Sequence, residues 1–109
     1  MRYLFSLLLV SPTLKAQAHL DTAKAYVLVT EATNSNDGPE VERFLHSVGL
    51  HKGASWCGAF VSYCLDKANV IYPEVRSGVA QHFITSRSIR SSSVLMGAEI
   101  PAGSILVYK

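Results

Sequence analysis

The sequence is poor in charge and in cysteine, and it has no long apolar run. Only 17% of its 109 residues are charged, with 10 Lys plus Arg against 8 Asp plus Glu and no stretch of like sign. Without a basic stripe to hold a phosphate backbone, no nucleic-acid partner is expected. No apolar run approaches the ~20 residues that a bilayer demands, which excludes stable membrane insertion. Cysteine and histidine do not occur at zinc spacing, and Asn36 with Asp37 lacks the further carboxylates of a calcium loop, so no metal or cofactor is expected. What is abundant is hydrophobic surface, 49% of residues, which argues for a folded chain. Its length allows one domain.

Part of that apolar content reads as an export signal. Met1-Arg2 is a cationic start, Tyr3 to Val10 is apolar except for Ser6, Pro12 breaks the run, and Ala16-Gln17-Ala18 has the small residues a signal peptidase reads. Residues 1–18 are therefore expected to be a signal peptide, leaving a secreted or periplasmic chain of residues 19–109. A buried N-terminal helix is the competing explanation of the same run. Arg2 and Lys15 lie in the leader and every acidic residue lies after it, so the remainder carries eight charges of each sign.

Leu20, Ala23, Val27 and Leu28 keep helical spacing and predict a helix over 20–30. The run from Thr33 to Pro39 (Thr-Asn-Ser-Asn-Asp-Gly-Pro) concentrates turn formers. Pro39 then suits a first helical position, and Val41, Phe44, Leu45 and Val48 give a second amphipathic helix that stops near Gly49. Ser55 is the expected N-cap of a third, from Trp56 to about Ala68, apolar enough to sit centrally. A short helix over Val79–Ile84 and a polar loop over Ser86–Ser93 follow. Residues 104–108, Ser-Ile-Leu-Val-Tyr, read as a strand. A lone strand has no partner for its backbone groups, which implies either missing strands or pairing with another molecule. The first is the preferred account.

The two cysteines separate by position. Seven residues of helix set Cys57 and Cys64 about 10 Å apart, beyond the roughly 7 Å limit for a bridge. With Ser55 as cap, Cys57 falls in the first turn, where free N–H groups and the helix dipole favour a thiolate. Cys64 lies two turns deeper among apolar residues and is expected to stay protonated and inert. Gly58 leaves room for a close approach, by a substrate or by another helix, and Trp56 is either a groove wall or a core aromatic. A nucleophilic thiol needs an imidazole base. Of His19, His46, His51 and His82, none is an evident partner, and His82 is the nearest to one.

Four segments together resemble a known family: Glu31; Asn34 to Val41; Ser55-Trp56-Cys57-Gly58-Ala59-Phe60-Val61-Ser62-Tyr63-Cys64; and Pro101 to Tyr108. They are similar to the CHAP group, the cysteine, histidine-dependent amidohydrolases and peptidases related to NlpC-type and papain-like enzymes, most of which act on bacterial peptidoglycan. The resemblance covers nearly all of residues 20–109, and its most specific part is Trp56 to Val61.

It implies an α+β fold: N-terminal helices, the cysteine at the start of a central helix, and an antiparallel sheet of which only the first strand is present. It makes Cys57 the nucleophile, and Trp56, Gly58, Asn34 and Glu31 the candidate substrate-binding residues; the Glu31 to Asp37 segment would line the cleft or help hold the cysteine loop, with helix capping and turn formation the preferred competing account. The family's histidine follows the strand that ends here, and Ser104 stands where an Asp is common. The expected activity is thus hydrolysis of an amide bond in cell-wall stem peptides by a monomeric cysteine peptidase or amidase, with the 109-residue chain itself inactive. The alternatives are a secreted, non-catalytic binder of cell-wall peptides and an acyltransferase using the same thiol.

Overall fold

The computed structural model describes residues 18–86, 88 and 102–108. Residues 18–24 are helical (α1), followed by α2 (Pro39–Ser47), α3 (Cys57–Lys67) and a 3-10 turn (Ala80–Phe83). The expected signal peptide lies outside the described residues except for Ala18, and so does most of the Ser86–Ser93 loop.

Helix α1 ends earlier than its periodicity predicts. After Lys24 the chain tightens into turns in which Ala25, Tyr26 and Val27 donate to Thr22, Ala23 and Lys24 three residues back. The reason is tertiary. Tyr26 packs edge-on against Phe44 at 5.4 Å and Tyr63 at 5.7 Å, whereas Val27 and Leu28, which helical spacing would bury, are 78% and 89% exposed. A buried aromatic cluster outweighs the small propensity gain of two more helical residues.

Helix α2 follows its sequence signals. Gly38 is the N-cap and Pro39 opens the first turn; the Glu42 carboxylate reaches back to accept the Gly38 N–H at 3.0 Å. Gly49, at φ +78°, lets Leu50 N–H close on Leu45 C=O at 2.9 Å, which ends the helix. Val41, Phe44 and Leu45 are fully buried against α3, where Ala59 and Tyr63 are buried in turn. Phe44 is the hub, with ring centres of Trp56, Phe60, Tyr63 and Tyr26 at 5.0–5.9 Å.

Two devices bind the segment after α3 back onto it. Arg76 bonds Asp66 and the carbonyls of Val70, Pro73 and Val75. Buried Ser62 donates its hydroxyl to Ser77 C=O at 3.0 Å and accepts Ser77 N–H at 2.8 Å, which places Ser77 and Gly78 over α3. The 3-10 turn then buries Phe83.

The expected antiparallel sheet is overturned: among the described residues there is no strand. Residues 104–108 are extended, with Ser104, Leu106 and Tyr108 exposed and Ile105 and Val107 half-buried, but they enter no ladder. Ile105 and Leu106 instead line a cleft against Leu20 and Ala23 of α1 and Phe60 and Val61 of α3. Helix surface takes the place of a second strand as the apolar partner, so alternation survives without pairing. The described fold is helical. No helix in it is long and apolar enough to cross a membrane.

Candidate functional site

Trp56, not Ser55, is the N-cap of α3, at φ −108° and ψ 4° and with no side-chain cap. Cys57 is accordingly the first helical residue, one position earlier than expected. The first intrahelical bond runs from Phe60 N–H to Trp56 C=O at 2.8 Å, so the amides of Cys57, Gly58 and Ala59 precede it at the positive end of the dipole. Cys57 is exposed; Cys64 is 3% exposed, and burial pushes its thiol up to about 11. The division between the two thiols holds in burial and position.

Trp56 and Glu31, both expected to line a substrate groove, meet each other. The indole N–H donates to Glu31 Oε1 at 2.9 Å, while the ring stacks on Phe44 at 5.9 Å and 23°. A second tie joins the same two loops: Gly53 N–H donates to Asn36 C=O at 2.9 Å, and Asn36 Nδ2 donates to Gly53 C=O at 3.2 Å. The 31–37 loop therefore holds the cysteine loop and also forms a turn of its own. The Thr33 hydroxyl and amide both donate to the Asp37 carboxylate, holding it below the usual carboxylate range. Asn34 stands exposed at φ +58°.

Gly58 is buried, and what approaches it is the protein itself. A Cβ there would sit 2.8 Å from the backbone of Ser77 and Gly78. The missing side chain thus serves packing of the 77–78 segment. Sequence reasoning missed Ser62 and Ser77, and it placed Asn36 only within a segment expected to line the cleft or hold the cysteine loop. The Asn-Ser-Asn run marks a turn without showing which asparagine crosses to the next loop, and Ser62 looks like any small helical residue.

No histidine hydrogen-bonds Cys57 among the described residues. His82 Nδ1 pairs with Ser77 Oγ at 2.7 Å, which also accepts Val79 N–H. His19 Nε2 meets Gly103 C=O, and His46 and His51 pack edge to face. Nor is Cys57 among the residues lining two cavities of the described part: one of about 500 Å³ bounded by His19, Tyr72, Phe83 and Gly103, and the cleft of about 200 Å³ beside Cys64. No group of three or more His, Cys, Asp or Glu among the described residues is placed to hold a metal ion. In comparisons with protein-family models, curated proteins and solved structures, no match was found.

Proposed function

We propose that this protein presents Cys57 as the nucleophile of a secreted cysteine hydrolase acting on amide bonds of peptidoglycan stem peptides. The observation that carries the reading is the exposed thiol at the first position of α3, on a loop tied down by Glu31 and Asn36, while Cys64 is buried. The resemblance of Trp56 to Val61 to CHAP proteins supplies the substrate class.

In the reaction, the Cys57 thiolate attacks the amide carbonyl, and the tetrahedral oxyanion forms beside the first amides of α3. The carbon–nitrogen bond then breaks as a general acid protonates the leaving amine. Water hydrolyses the thioester and restores the thiol. None of the histidines meets Cys57, so the 109-residue chain is expected to react with electrophiles at Cys57 without turning over cell walls. That same observation favours a second reading, a non-catalytic protein that holds cell-wall peptides.

The test is alkylation at neutral pH followed by peptide mapping, then muropeptide analysis of purified cell walls. Labelling of Cys57 in preference to Cys64 supports the thiol chemistry; labelling of neither favours the binder. Peptide release by the 109-residue chain would overturn the expectation that it is inactive.

A further inference from the structure

The last turn of α2 and the loop just after it carry two exposed imidazoles whose pairing the proposed hydrolase does not use. His46 lies in the last turn of α2 and His51 just beyond it, with ring centres 6.0 Å apart and planes at 72°. Two imidazoles that share one tetrahedral or cis-octahedral metal at about 2.0–2.1 Å keep their ring centres roughly 4.5–5 Å apart, so chelation asks these two rings to close by about 1 Å and to turn one nitrogen each toward the ion. The backbone between them is held closed by Gly49 at φ +78° and by the Leu50 to Leu45 bond, which keeps the two residues together before any ligand arrives. The negative end of the α2 dipole falls at the same place and favours a cation. Exposed Lys52 is the adjoining positive charge, on a long side chain that solvent can draw away.

We infer that His46 and His51 form a two-histidine chelate for a late first-row divalent cation, of the Zn²⁺, Ni²⁺ or Cu²⁺ class. Imidazole nitrogen suits these ions over Mg²⁺ and Ca²⁺, which prefer oxygen. With no third protein donor converging among the described residues, water completes the shell. The site is therefore open and exchangeable.

Ni²⁺ is the probe, because it binds imidazole without oxidising the thiols. Titration of the full chain is followed by calorimetry and by the histidine ring resonances, for the parent and for His46→Ala, His51→Ala and His82→Ala. Each of the first two is expected to weaken binding about tenfold or more, short of the roughly hundredfold and upward that joining two contacts can give, because both exposed rings lose rotamer freedom on binding. His82→Ala is expected to leave binding unchanged. Parent-like affinity in both His46→Ala and His51→Ala, or no saturable binding below about 1 mM, would overturn the inference. Circular dichroism of each variant separates lost metal binding from lost folding.

Discussion

The Trp56 indole is tied by its N–H to Glu31 Oε1 at 2.9 Å, so the residue immediately before the exposed thiol is held by a loop 25 positions earlier in the chain. The bond spans the junction between core and surface: one face of the indole stacks on buried Phe44, and its polar edge meets a half-buried carboxylate. Cys57 thus inherits its position from a contact outside its own helix.

Glu31→Ala should strand that indole N–H and loosen the cysteine loop. The expected cost is about 1 kcal/mol, below the range for fully buried bonds to charged groups because the carboxylate is partly solvated. Trp56 is the only tryptophan, so its emission should shift to the red, with a changed alkylation rate at Cys57. Glu31→Gln keeps an acceptor oxygen and should show smaller changes in both.

Gly58→Ala sets two effects against each other. Alanine gains about 1 kcal/mol in helix propensity. The new Cβ, however, would lie 2.8 Å from the backbone of Ser77 and Gly78, and such overpacking costs about 1–3 kcal/mol. Backbone held by Ser62 cannot yield cheaply, so a lower denaturation midpoint is expected. A stabilised variant would show that the 77–78 segment is not seated on α3.

Ser62→Ala removes both bonds to Ser77 and leaves its N–H and C=O without those partners. A loss of about 2 kcal/mol is expected in chemical denaturation. Faster amide exchange should be confined to residues 77–83, with α2 protected as before.

Stability should fall between about pH 9 and 11 because of Cys64. In the unfolded chain its thiol ionises near its ordinary value of 9.0, whereas burial holds the proton in the folded state up to about 11. The raised folded value means that stability is complete below the lower figure and lost as pH rises through the upper one. Cys64→Ala should flatten the profile relative to the parent over that window, measured by urea denaturation at stepped pH. Equal slopes in the two proteins would contradict the assignment.

Much of the local structure was legible because its signals are local. Pro39, the spacing of Val41, Phe44 and Leu45, and Gly49 define α2 almost to the residue. The apolar density of 56–68 identified the central helix, and its asymmetry separated the two cysteines. Cues failed where a distant contact outbid them. Ser55 is the better intrinsic cap, yet Trp56 takes that place while its indole is fastened to Glu31 and Phe44. Val27 and Leu28 have the spacing of a buried face, yet Tyr26 claims the core.

The amino-acid order alone determined that an amphipathic helix and a broadly apolar one would form, that the second would carry Cys57 in its first turn, and that Cys64 would lie two turns deeper. Only the folded chain decided which surfaces those helices meet: Gly58 under its own backbone, Asn36 rather than Asn34 reaching the cysteine loop, and Ile105 against helices instead of a neighbouring strand. Helix periodicity and caps act within a few residues along the chain. Burial of aromatic surface and satisfaction of polar groups depend on partners tens of residues away, and no local pattern names them.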